Sequence, residues 1–166
     1  YGRQALVQFV LDFYDQAGGP GNTHDLLTRL ANCRFFVTTC VDERLEDSFR
    51  SAGRPLHSII RRTDLAYSTA YTARLYRLYG ALSQPDSLHL TQEETADALS
   101  LLQDEGFSDV LKGHLADSTI VFIGYNLDDA FFKQLYRTSI KPLHRHNPRS
   151  FAFAEQDYTE LTRWFC

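Results

Sequence analysis

An α/β fold, a partial Rossmann-like three-layer sandwich with a mainly parallel sheet, is what this sequence predicts. Short apolar runs alternate along the chain with segments of helical period, the pattern of strand–helix repeats. Arg34 to Thr39 is an apolar run with no helical period, the mark of a strand buried on both faces. Thr119 to Ile123 is a second such run, and Gly124 follows it at once.

The elements follow in order. Residues 3 to 17 place Leu6, Phe9, Val10, Phe13 and Tyr14 at helical spacing, and Gly18-Gly19-Pro20-Gly21 stops that helix. Thr23 then caps a short helix through Leu30. After the strand at 34–39, Glu43 to Ala52 carries Leu45 and Phe49 on one helical face and closes at Gly53. Leu56 to Ile60 reads as a strand, and so does Leu75 to Leu82, broken by Gly80. Pro85-Asp86 turns the chain into Ser87-Leu88. Thr91-Gln92-Glu93-Glu94 is a capping box that opens a helix to about Gln103. Helical stretches at Phe107 to Leu115 and Asp128 to Tyr136 flank the strand at 119–123. A last strand at Ser150 to Ala154 precedes a last helix at Asp157 to Phe165.

With 166 residues the chain has room for one domain, and no linker or internal repeat divides it. Apolar content of 43% and charged content of 23% are those of an ordinary globular protein. The net charge of −4 argues against nucleic acid, because phosphate binding needs a positive excess. No apolar run reaches the roughly 18 residues a membrane span requires, and no signal peptide opens the chain. Tyr1 and the absence of methionine predict an excised or processed piece of something longer. Cys33, Cys40 and Cys166 form no C-x-x-C pair, and their odd number fits a reducing, cytoplasmic setting better than a disulfide framework.

The chemistry-bearing candidates lie where strands end, the edge at which open α/β sheets gather ligands. In Thr38-Thr39-Cys40-Val41-Asp42, Asp42 suits either a ligand or the N-cap of the next helix. Cys40 invites a nucleophile reading, against which stands the inertness of buried thiols. In Gly124-Tyr125-Asn126-Leu127, the glycine allows close backbone approach. Asp128 and Asp129 fill the helix end behind it, so a ribose hydroxyl is a better guest than a phosphate. Gly18 to Gly21 follows a helix rather than a strand and is a linker, not a phosphate loop. His144-x-His146, in the basic loop Lys141 to Arg149, reads as a solvated loop rather than a metal grip, so no metal is expected.

Three stations in this order resemble the later part of the bacterial, zinc-less sirtuin-like domains. Thr38, Thr39, Cys40 and Asp42 match a Thr-Thr-Asn-x-Asp motif. Arg77, Leu78, Tyr79 and Gly80 match Lys-Leu-His-Gly, with a Pro-x-Ser-Leu continuation at Pro85 to Leu88. Gly124, Tyr125, Asn126, Leu127 and Asp129 match Gly-Tyr-Ser-Leu-x-Asp. The resemblance covers residues 3 to 165. It implies a pocket lined by Thr39, Cys40, Asp42, Tyr79, Gly80, Gly124, Asn126 and Leu127, which would take NAD or ADP-ribose if it is retained; otherwise no cofactor is expected.

It also implies a loss. The family's asparagine, which orients water or ribose, is Cys40 here, and its histidine general base is Tyr79. A phenol with an ordinary pKa of about 10 is a poor base at neutral pH. A thiol cannot reproduce a carboxamide's paired donor and acceptor. The family's front segment, with its glycine-rich pyrophosphate loop, is expected to be absent from residues 1–166. The expected function is a pseudoenzyme: a non-catalytic binding or oligomerisation module of a larger bacterial protein, in antiphage defence or signalling, with no cofactor turned over. Its partners would be other domains of the parent or a second copy. The alternative is an NAD glycohydrolase whose glycine-rich half lies outside this chain. Without that half, the strands at 35–39 and 119–123 should either offer an open edge to another chain or pair directly with each other.

Overall fold

The computed structural model describes residues 2–69, 71–101, 109–110, 113–114, 118–126, 133–134, 136–137 and 150–153. Leu127, the loop carrying His144 and His146, Cys166 and the helix expected at 157–165 lie outside the described residues. So do most of those expected at 107–115 and 128–136. The chain divides into two compact units, Tyr1–Ala98 and Leu99–Cys166.

In the first unit, helix α1 (Arg3–Asp15) and helix α2 (Asn22–Thr28) precede strand β1 (Phe35–Thr38). Helix α3 (Arg44–Ser51), strand β2 (Leu56–Ile59), a 3-10 turn at Arg62–Tyr67 and strand β3 (Ala73–Arg77) follow. The sheet runs β1-β3-β2 with both pairings parallel, so β3 inserts between two strands joined through α3. Phe36 faces Leu75 in one pairing, and Ser58 faces Leu75 in the other. A parallel α/β sheet is therefore what these residues form, as their alternation of element types predicts.

Two apolar clusters hold this unit. Phe36, Ala73 and Leu75 of the sheet pack with Phe49 of α3, joined by Leu27 of α2, Leu45 and Leu56. The Phe36 and Phe49 rings meet edge to face at 5.3 Å, and the Arg54 guanidinium covers the Phe49 ring at 5.0 Å. Helices α2 and α3 thus cover one face of the sheet. The second cluster joins Val7, Val10, Leu11 and Tyr14 of α1 to Val41, Tyr79, Leu82, Leu88 and Leu90. Those last five all follow strand ends, so α1 packs on the loops that carry the candidate site.

Three local expectations are corrected. The strand expected over 75–82 runs only from Ala73 to Arg77, because Gly80 takes φ +81° and turns the chain. Thr23 does not cap α2: Gly21 is the N-cap, and its N–H donates to His24 Nδ1 at 3.1 Å. Asp42 does hold the start of α3, its carboxylate accepting the Arg44 N–H at 3.1 Å, but Glu43 is the N-cap residue. The box at Thr91 is present as expected. The Glu94 N–H donates to Thr91 Oγ1 and the Thr91 N–H to Glu94 Oε2, both at 3.2 Å, opening helix α4 (Gln92–Leu101).

In the second unit, strand β4 (Val121–Ile123) pairs parallel with strand β5 (Phe151–Phe153). These are short strands whose outer positions are exposed, not the buried strand expected over 119–123. Among the described residues, β1 belongs to the three-stranded sheet and β4 to the two-stranded one. Among the described residues, β1 pairs on one side only, with β3, and Val37 is 45% exposed.

Candidate functional site

The candidate site begins where β1 and β3 end. The Leu78 N–H donates to Thr38 O at 3.0 Å, closing the ladder. Beyond it, the Cys40 N–H turns back onto Thr38 Oγ1 at 3.0 Å, so Thr38 shapes the exit loop. The Leu82 N–H donates to Val41 O at 2.9 Å and joins that loop to the turn after β3. Thr39, Cys40, Asp42, Tyr79 and Gly80 therefore belong to two adjoining loops at one sheet edge. Gly124 and Asn126 lie in the second unit, just past β4.

Cys40 is exposed, which corrects the picture of a buried, inert thiol. Asp42 is half-buried, and one of its carboxylate oxygens is engaged with the Arg44 N–H. Tyr79 is half-buried and packs in the α1 cluster with Val41 and Leu88.

Gly80 has a structural reason of its own. A Cβ there would stand 2.1 Å from Ser87 O and 2.7 Å from Ser87 Oγ, so no other residue fits. Ser87 accepts the Ala81 N–H at 3.1 Å and donates to Gln84 O at 2.7 Å, while Leu88 enters the core at 1% exposure. The Pro85-to-Leu88 motif thus locks the turn that Gly80 makes. Gly124 differs: its φ is +62°, but among the described residues nothing stands within 4 Å of where a Cβ would be, so it is the backbone conformation that favours glycine there.

Three residues that the sequence reading did not place at the site are central to it. Arg77 is buried and uses every N–H it has. Its Nε donates to Glu46 Oε1 at 2.8 Å and its Nη2 to Glu46 Oε2 at 2.7 Å. Its Nη1 reaches Cys40 O at 3.1 Å and Gly80 O at 3.4 Å, and Nη2 also donates to Asp42 O. Glu46 in turn accepts the Ser58 hydroxyl at 2.6 Å. The third is Tyr14: burial, and then the nearby Asp42 and Cys40, push its phenol above the ordinary tyrosine value, with Arg44 opposing them. A guanidinium inside the run Leu75 to Tyr79 was the available signal for Arg77, since a buried charge requires a partner. Nothing in the local pattern marks Glu46 as that partner.

A shallow cleft of about 320 Å³ lies beside the ion pair, walled by Glu43, Glu46, His57, Ser58, Asp64, Arg77, Ser83 and Gln84. Its acids are engaged: Glu43 accepts the Ser83 N–H, and Asp64 accepts the Ile60 and Arg61 N–H groups. Among the described residues, no group of three His, Cys, Asp or Glu side chains could hold a metal ion. Nor is any helix among them long and apolar enough to cross a membrane.

Parallel strands, paired loops at their carboxyl ends and a glycine turn locked onto a serine define an α/β domain of the ligand-edge type. A model of the SIR2-like domain matches residues 34–165, and the chain belongs to that family. It is similar to the NAD(+) hydrolase ThsA of Cytobacillus dafuensis, 28% identical over 129 residues, which are 77% of this chain and 26% of that protein. The NAD(+) hydrolase ThsA of Acinetobacter baumannii (strain 532279) is 24% identical over 130 residues, 78% of this chain and 26% of the relative. The match spans about a quarter of the length of these curated relatives.

Proposed function

We propose that this chain is a degenerate SIR2-like module of a larger bacterial protein, a non-catalytic domain that binds or oligomerises in antiphage defence or signalling. The observation that carries this reading is the pair Cys40 and Tyr79. The resemblance puts an orienting carboxamide and a general base at those positions. Here one is an exposed thiol and the other a phenol packed among Val41, Leu88 and α1. The ligand class is NAD or ADP-ribose, held without cleavage at the Thr39–Asp42 and Tyr79–Gly80 loops of the first unit. Partners are other domains of the parent or a second copy, in the cytoplasm.

The test is nicotinamide release from NAD by the purified protein, beside its Cys40→Asn/Tyr79→His variant. Losing a positioned base forfeits about 10²–10⁴ in rate, so the native chain should stay at background. ADP-ribose should raise its melting temperature. Release by the native chain on the order of 1 per second or faster would overturn the reading. The second reading is an active NAD glycohydrolase completed by a segment outside this chain. It is favoured by the names of the two relatives, of which the match spans about a quarter.

A further inference from the structure

We propose that Arg77 is a positioning residue that makes the two loops of the candidate site a single rigid unit, holding their spacing before any ligand arrives. A guanidinium has five N–H donors in one plane. In this chain all five are used: two on Glu46, one each on the carbonyls of Cys40, Asp42 and Gly80. The three carbonyls come from both loops, two after β1 and one after β3. The contact to Gly80 O is buried and those to Cys40 O and Asp42 O are partly so; losing these donors would be costly, so the loops have a strong reason to stay where Arg77 meets them. Glu46 fixes the guanidinium plane through a two-point contact and is itself tied to β2 by the Ser58 hydroxyl. The Arg77 side chain is 1% exposed, so neither solvent nor a ligand competes for its donors. Beyond Glu46, the cation therefore acts through the backbone and has no donor left for an anionic ligand. Lysine could not take its place, having three donors in a tetrahedral arrangement against five acceptors.

That these loops form a ligand pocket rests on the function proposed above; their coupling does not, and the test uses no ligand. The reporter is the Leu82 amide, whose bond to Val41 O crosses directly between the loops. Hydrogen exchange is read by NMR on the full chain. In Arg77→Lys, Leu82 protection should fall about tenfold relative to the amides of β3, the size of one charge-assisted hydrogen bond. Glu46→Gln removes the two-point contact but leaves the three carbonyl acceptors in place, and should lower the ratio of Leu82 to β3 protection less than Arg77→Lys does. In the unaltered protein, Arg77 Nε–H and the Leu82 amide should exchange through the same opening, with matching dependence on denaturant. Leu82 falling only in step with β3 in Arg77→Lys would overturn the proposal. So would a Leu82 amide that opens independently of Arg77 in the unaltered protein, a measurement that depends on no variant folding.

Discussion

Glu46 of α3 and Arg77 at the end of β3 meet through two parallel hydrogen bonds of 2.8 and 2.7 Å, their side chains 14% and 1% exposed. Two-point pairing suits a planar fork facing a carboxylate, and it fixes orientation as well as distance. The residues lie 31 positions apart, on a helix and on the central strand. Removing one partner leaves the other charge buried without compensation, which is far worse than never having had the pair. Arg77→Met is therefore expected to lower unfolding free energy by about 3–5 kcal/mol, measured by urea titration. Ser58→Ala, which removes only a third donor to Glu46, should lower it by about 1 kcal/mol. Equal losses in the two variants would contradict this ranking.

Gly80 and Gly124 separate two reasons for glycine. Both have positive φ, which costs an L-residue on the order of 1–2 kcal/mol. Only at Gly80 does a methyl also strike backbone, at Ser87 O. Gly80→Ala should destabilise the first unit well beyond that conformational penalty, and Gly124→Ala should not exceed it. Calorimetric melting of both variants checks the contrast. Similar small shifts would show that the Ser87 turn yields easily.

Glu94 carries an acid-side dependence. Hydrogen bonds from the Leu90 N–H, then Arg3 and the Thr91 N–H, hold its carboxyl below the ordinary carboxylate value. A depressed folded value means a contribution that is complete above the unfolded value and lost as pH falls through the folded one. Melting temperature should therefore drop on acidification through that range, and Glu94→Gln should flatten this part of the profile. An unchanged profile in Glu94→Gln would place the acid sensitivity elsewhere.

Tyr14 carries the dependence of opposite sign. Its phenol is raised by burial first and then by the charges at Asp42 and Cys40. Its contribution is complete below the unfolded tyrosine value and fades as pH rises from there through the raised one. Difference absorbance between the native chain and Tyr14→Phe should show this tyrosinate forming later than the average of the other tyrosines. Asp42→Asn removes a neighbouring negative charge and should bring its formation to lower pH. No movement in Asp42→Asn would mean that burial alone sets the value.

What could be read from residues alone was local. Leu45 and Phe49 at helical spacing mark the inner face of α3, and both sit in the core cluster with Phe36. The box from Thr91 to Glu94 forms because its partners are three residues apart and need no tertiary help. Strand ends were less legible. Leu78 to Leu82 has a strand's composition, yet it turns, because the Ser87 backbone closes on Gly80 from seven residues further along.

By itself the sequence determined the element types, the parallel sheet and the two loops on which the candidate site rests, because periodicity, capping and glycine act over a few residues. Tertiary structure decided that Arg77 pairs with Glu46, that α1 brings Tyr14 beside Cys40 and Asp42, and that Tyr79 packs with Val41 and Leu88. It also decided that β4 pairs with β5. Each of these joins residues far apart in the chain, and their partnership depends on which surfaces the fold brings together. Spacing along the sequence carries no information about that, since a buried charge announces only that it needs a partner and not which one it will find.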